Sequence, residues 1–316
     1  MRRTPMEMCV FRVLVVLSLV TSIGCAGHAV PWGEEDPRYL KGAFVSVDGK
    51  KTFYIDHGDG PVVVLLHGLP LSSWEWRKFI PVLAENYRVI TPDLYGFGYS
   101  DRPRDADYSW PAYGEWLNHF LEAIDVDRAT FVVTDIAGPI GFELLAAHPE
   151  KVSGLVIANT WYTDQAFHMP FLLKLLTWSP TGWMGIYATN RPMVVMQTRV
   201  LFADKAKSEG EFEDQLWMSV KTIQSRKILQ KVLRGFRLDH KDMFRRSLQA
   251  FDGPVLLAWG EQDPAVPPEN VDLFKLILPQ AEIERYSDAG HYLSQEKPQE
   301  FSARILKFLN QHREKL

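Results

Sequence analysis

The chain has 316 residues, 46% apolar and 23% charged, with a formal net charge of −4, which suits one large globular domain or a domain with an insertion. The mild acidity and the lack of a basic block argue against a nucleic-acid partner. Cys9 and Cys25 are the only cysteines, so beyond residue 25 there is no thiol for a disulfide, a zinc site or a Cys nucleophile.

Residues 1–24 read as an export signal. Arg2, Arg3 and Arg12 supply positive charge, and 13–23 is an uncharged apolar run. That run is shorter than the roughly 20 apolar residues a bilayer span needs. Ser22-Ile23-Gly24-Cys25 resembles a bacterial lipobox, whose Cys is lipidated after cleavage; position 22, usually Leu, is Ser. Plain secretion with cleavage near Ala26 or Ala29, and an uncleaved anchor, are the other readings. The expectation is an exported protein, periplasmic or attached to the membrane as a lipoprotein through Cys25. Residues 25–40 form a polar, Pro-containing linker.

Two strand-like runs follow, Ala43–Val47 and 52–55, on either side of Asp48-Gly49, a hairpin signal. Val62–Leu66 is a continuous apolar run, as expected of a strand buried on both faces. It ends in His67-Gly68-Leu69-Pro70. Residues 74–83 read as a helix and 88–90 as a strand that leads into Asp93-Leu94-Tyr95-Gly96-Phe97-Gly98-Tyr99-Ser100. An amphipathic helix over 113–124 precedes a strand over 130–134. A sharp turn at Asp135 then opens a helix over 136–147, and Val152–Ala158 is the next strand. Strands alternating with helices predict an α/β fold with a mostly parallel sheet and helices on both faces. From 160 to 242 the strand signal disappears. Trp161, Trp178, Trp183 and Trp217, with many Met and Phe, recur there at helical spacing, which predicts an inserted helical cap. The core is then 41–159 and 243–316. Its sheet resumes at 254–259, followed by a helix over 271–277, a strand over 281–286 and a last helix, Pro298–Gln311.

The motifs stand in a fixed order: His67-Gly68-Leu69-Pro70, Asp93 to Ser100, the turn at Asp135, the helical insertion, Gly260-Glu261-Gln262-Asp263, and Asp288-Ala289-Gly290-His291. In this order they resemble the α/β-hydrolase fold from residue 43 to the C-terminus, with Asp135 at the nucleophile elbow. An Asp there, with the His-Gly-x-Pro loop, resembles the haloalkane dehalogenase and epoxide hydrolase branches. Leu69-Pro70-Leu71-Ser72-Ser73-Trp74-Glu75-Trp76-Arg77 is similar to the dehalogenase form of that loop.

The resemblance implies a triad: Asp135 as nucleophile, His291 as general base and Asp263 as its acid partner. The backbone N–H groups of Leu69 and Ile136 are the implied oxyanion donors. The chemistry is consistent with these residue types. A helix N-terminus favours negative charge, so a carboxylate there needs no base to attack an sp³ carbon. The resulting alkyl ester would be hydrolysed by water that His291 deprotonates. Asn159 stands where some dehalogenases carry the acid, which leaves that role to Asp263. Asp288 reads as a brace of the histidine loop, and His67 as structural. No cofactor or metal is implied. The reactants are water and a small hydrophobic organic substrate.

The sequence departs from both branches at the leaving group. Haloalkane dehalogenases usually hold the halide with a Trp directly after the nucleophile, and often with an Asn in the oxyanion loop. Here these positions are Ile136 and Leu69. Cap residues Trp183 and Trp178 are the candidate replacements. Epoxide hydrolases use two cap tyrosines; Tyr162 and Tyr187 are available, but no Tyr occurs between Tyr187 and Tyr286. The expected function is a haloalkane dehalogenase-like hydrolase. An epoxide hydrolase is the alternative, and a non-catalytic hydrolase-fold binding protein the third reading.

Overall fold

The computed structural model describes residues 42–316 apart from 178–181 and 236–237. The export signal, Cys25, the linker and Trp178 lie outside the described residues. Strands β1 (Ala43–Val47) and β2 (Lys50–His57) form a hairpin whose two-residue turn, Asp48-Gly49, has φ of 50° and 72°. Asp-Gly suits that turn because Gly, and to a lesser degree Asp, accepts positive φ. β3 (Val62–Leu66) is followed by a 3-10 turn at Ser73–Trp76 and a one-turn helix, α1 (Ile80–Leu83). This corrects the single helix expected over 74–83. Pro81 has no N–H to continue a helix, and its ring would meet the carbonyl of residue 77. β4 (Arg88–Pro92) leads to α2 (Trp110–Ala123). α2 starts earlier than its apolar pattern because Ser109 caps it and Pro111 suits its first turn.

β5 (Ala129–Thr134), α3 (Ala137–Ala147) and β6 (Val152–Ala158) complete the first part of the core. The cap then runs through α4 (Phe171–Thr177), α5 (Gly182–Ala188), α6 (Arg191–Arg199), α7 (Glu211–Val220) and α8 (Ile223–Arg234). α9 (Lys241–Ala250) returns to the core, with Phe244 edge-on to Phe142 of α3 at 5.8 Å. β7 (Val255–Gly260), α10 (Glu269–Ile277), β8 (Glu282–Tyr286), α11 (Leu293–Glu296) and α12 (Pro298–Gln311) end the chain.

The strands form one eight-stranded sheet in the order β1-β2-β4-β3-β5-β6-β7-β8. β1 and β2 are antiparallel at one edge, and the pairs from β4 to β8 are parallel. Alternate residues of the central strands feed two apolar layers. Val64, Leu66, Phe131 and Val133 face one layer, with helices α2 and α3. Val63, Leu65 and Val132 face the other, with Ile80, Phe301, Ile305 and Phe308 of α1 and α12. The carboxyl ends of the parallel strands therefore share one edge, where open α/β sheets place their ligand crevice.

Candidate active site

The turn between β5 and α3 holds Asp135 at φ 50°, in the left-handed region that costs a non-glycine residue about 1–3 kcal/mol. Local hydrogen bonds hold it there. The Asp135 N–H donates to Asn159 O at 3.2 Å, and the Asp135 carbonyl accepts from Gly138 N at 3.3 Å and Thr160 Oγ1 at 2.6 Å. The small neighbours are required by close approach. A Cβ at Gly138 would lie 2.0 Å from Thr160 Oγ1, and one at Gly68 would lie 2.8 Å from Asp135 Cβ. The loop after β3 lies against the same carboxylate, and Leu69 N donates to Asp135 Oδ1 at 2.8 Å. Ile136, the other expected backbone donor, directly follows Asp135 at the start of α3.

The loops after β7 and β8 bring in Asp263 and His291. His291 Nδ1 is 2.7 Å from Asp263 Oδ2, and His291 Nε2 is 3.3 Å from Asp135 Oδ2. Asp263 Oδ1 accepts the N–H groups of Ala265 and Val266 at 2.8 and 2.9 Å. Its Oδ2 also accepts from Asn159 Nδ2 at 2.8 Å, while Asn159 Oδ1 accepts from Gly260 N at 3.1 Å. Asn159 thus braces the acid at position 263. Asp288 stays outside the cluster, paired with Lys297. Burial disfavours charge on His291, but Asp263 and Asp135 outweigh it and push its pKa up to about 10. His67 is buried, and burial depresses its pKa. Its Nδ1 meets Gly68 O at 3.0 Å and its Nε2 accepts from Leu94 N at 3.1 Å, so it is a neutral strut of the loop.

One ionisable residue escaped the sequence reading. Glu75 is 3% exposed, and its carboxylate accepts from Gly68 N at 2.9 Å and Ser294 Oγ at 2.7 Å. Gln295 Nε2 also donates to the Glu75 carbonyl at 3.0 Å. Glu75 thereby ties the loop that holds Asp135 to the segment after His291. Burial pushes its pKa up to about 7. An acid between two tryptophans in Ser73-Trp74-Glu75-Trp76 was the available signal.

A cavity of about 360 Å³ separates this cluster from the cap. Asp135, His291 and Tyr292 share its wall with apolar side chains that include Leu69, Trp161, Phe167 and Leu229. Arg226 also lines it, but its guanidinium donates to the carbonyls of Val220, Ile186 and Lys221 and so ties cap elements together. The structure does not bring Trp183 or Tyr187 to the cavity. They are 62% and 58% exposed, because α5 presents Met184, Gly185 and Ala188 to the cavity instead. Tyr162 is committed elsewhere, donating to Leu273 O at 3.2 Å.

A family model described as the alpha/beta hydrolase fold matches residues 61–298. Over 296 residues the chain is 29% identical to the cis-3-alkyl-4-alkyloxetan-2-one decarboxylase of Xanthomonas campestris, covering 82% of this chain and 92% of that one. It is 40% identical to the haloalkane dehalogenase of Mycobacterium marinum over 141 residues, 42% of this chain and 48% of the other. Among solved structures, Cfl2 from Burkholderia cenocepacia has a TM-score of 0.75 at 22% identity, covering 87% of this chain and 98% of that one.

Proposed function

The chain belongs to the α/β-hydrolase fold family, in its branch of haloalkane dehalogenase- and epoxide hydrolase-like enzymes, and on that premise we propose that it cleaves a small hydrophobic substrate through an ester on Asp135, in the manner of a haloalkane dehalogenase. The observation that carries this reading is the contact of Asp135 Oδ2 with His291 Nε2, beside a buried Asp263 and in the wall of an apolar cavity. Asp135 Oδ2 attacks an sp³ carbon, and the bonding pair leaves with the halide. Leu69 N–H holds Oδ1, which becomes the ester carbonyl oxygen. Water then attacks the ester carbon, and the charge that develops on Oδ1 meets the Leu69 and Ile136 N–H groups.

His291 changes state between the two steps. While Asp135 is anionic, the imidazole is flanked by two carboxylates and holds its proton. Esterification removes one of those charges. His291 becomes a weaker base and can cycle through its neutral form, which takes the proton from water.

A strained carbon–oxygen ring is the second substrate class. Positions 69 and 136 carry Leu and Ile, so neither offers a side-chain N–H to a halide. An epoxide belongs to this class, and so does the oxetanone in the name of the Xanthomonas relative. The experiment is to replace His291 with Gln, offer haloalkanes and epoxides, and measure intact mass. An adduct on Asp135 is expected, with the substrate class read from the added mass. No adduct with any compound, together with no halide release by the native protein, would sink the reading. The same proposal includes export and attachment at Cys25, on the strength of the basic, apolar and lipobox-like segments of residues 1–25.

A further inference from the structure

The cavity lacks a leaving-group donor at either family position, and α5 turns Trp183 and Tyr187 outward. One hydroxyl-bearing side chain stands beside the nucleophile without a task. Tyr292 directly follows His291, is 7% exposed and lines the cavity together with Asp135. Its ring is fixed on three sides. It stacks on Phe202 at 5.0 Å, meets Phe212 edge-on at 4.9 Å and lies 5.4 Å from the His291 ring. Among the described residues its hydroxyl has no hydrogen-bond partner. Of the other buried tyrosines, Tyr95 donates to Asp107 O at 2.6 Å, Tyr113 to Tyr95 O at 2.9 Å and Tyr162 to Leu273 O, whereas Tyr286, which also lacks a partner, does not line the cavity. A buried phenol usually finds a partner within the protein, so one without, in the wall of a reaction cavity, is available to a ligand.

We propose that the Tyr292 hydroxyl is the leaving-group donor of this enzyme, and that it suits the oxygen of an epoxide better than a halide. The inference rests on the Asp135-ester reading and names the leaving atom for it. Burial first, then the charges of Asp135, Glu75 and Asp263, hold the phenol well above its ordinary pKa, so it faces the substrate as a proton carrier. A halide leaves as a stable anion and takes no proton. The oxygen of an opened epoxide becomes an alkoxide, which does. Asp135 Oδ2 bonds to the ring carbon, the carbon–oxygen bond breaks, and its electron pair stays on oxygen. That oxygen takes the Tyr292 proton. The phenolate is reprotonated at the expense of the His291 imidazolium, which leaves a neutral imidazole to deprotonate the hydrolytic water. Atoms and charge balance, and the product of an epoxide is a diol.

The test isolates ester formation. In the full chain carrying His291→Gln, adduct growth on Asp135 is followed by intact mass with 1,2-epoxyhexane and with 1-bromohexane, with and without Tyr292→Phe. Phe preserves the ring contacts, so an unchanged melting temperature is expected. The epoxide adduct should form about 10–100-fold more slowly in the Phe chain, and the bromide adduct should lose less. With His291 intact, Tyr292→Phe should lower kcat for the epoxide at little cost in KM. Epoxide adduct forming at an unchanged rate in the Phe chain would overturn the assignment while leaving the Asp135 ester standing. Equal slowing with both probes would overturn the preference for oxygen. No adduct in either chain with either probe would overturn the assignment and the ester reading together.

Discussion

Asp263 accepts three hydrogen bonds besides its contact with His291, and Asn159 supplies the one that reaches the same oxygen as the imidazole. Replacing that amide with a carboxylate would put two buried acids in contact with no added cation. Asn159→Asp is expected to cost at least about 2 kcal/mol in urea denaturation and to lower kcat, because a buried like charge is left unpaired. Glu75 makes a different prediction. Its folded-state pKa, about 7, lies above its ordinary value of 4.5, so the folded protein holds the proton more tightly than the unfolded chain. The resulting stabilisation is complete below about pH 4.5 and disappears as pH rises through 7. It amounts to about 3 kcal/mol. His291 is also raised and acts in the same direction over a higher window, up to about pH 10. The difference between wild type and Glu75→Gln isolates the carboxyl. Melting temperature should fall from pH 5 to 8 in the wild type and fall less in the Gln chain; parallel profiles would refute it. Asp135, His291 and Asp263 could be read from motif order. Glu75 could not, because its partners lie at positions 68 and 294 and only the folded loops bring them together.

At the scale of elements, the strands were the most legible part. β3, an uninterrupted apolar run, and β6, apolar apart from Ser153 and Gly154, have the bounds the sequence indicates, since turn residues flank a strand buried on both faces. The segment over 74–83 misled because its apolar spacing suits a helix while Pro81 forbids one. α5 misled in another way. Its aromatic residues suggested a pocket face, but Met184, Gly185 and Ala188 hold that face, and nothing in the local spacing of a seven-residue helix says which side meets the cavity. Trp183→Ser and Tyr187→Ser should therefore change kcat/KM by less than about twofold on a soluble substrate. A tenfold loss would show that the cap rotates either side chain inward. The strand-to-helix turn is far less tolerant. Gly138→Ala would drive its Cβ into Thr160, whose hydroxyl holds the Asp135 carbonyl. The expected cost is about 1–3 kcal/mol, with activity lost beyond what stability explains.

For the whole molecule, alternation of strands and helices predicts the fold class, but the strand order depends on crossovers that no local pattern records. That order has a consequence for where the chain enters the fold. Ala43, the first residue of β1, pairs with Tyr54, and Tyr54 pairs with Pro92 at the carboxyl end of β4. The polypeptide thus joins the sheet at the edge that carries Asp135, Asp263 and His291. Residues 26–42 separate Cys25 from β1, a reach of at most about 60 Å. An anchor at Cys25 would hold the catalytic edge within that distance of a bilayer, where an apolar substrate concentrates. No helix among the described residues is long and apolar enough to cross a membrane. On the proposed attachment at Cys25, Cys25→Ala should move the protein from the membrane fraction to the soluble fraction without changing kcat on a water-soluble substrate. Retention in the membrane fraction would count against lipidation and favour an uncleaved apolar anchor over 13–23. Release of both wild type and variant would favour plain secretion.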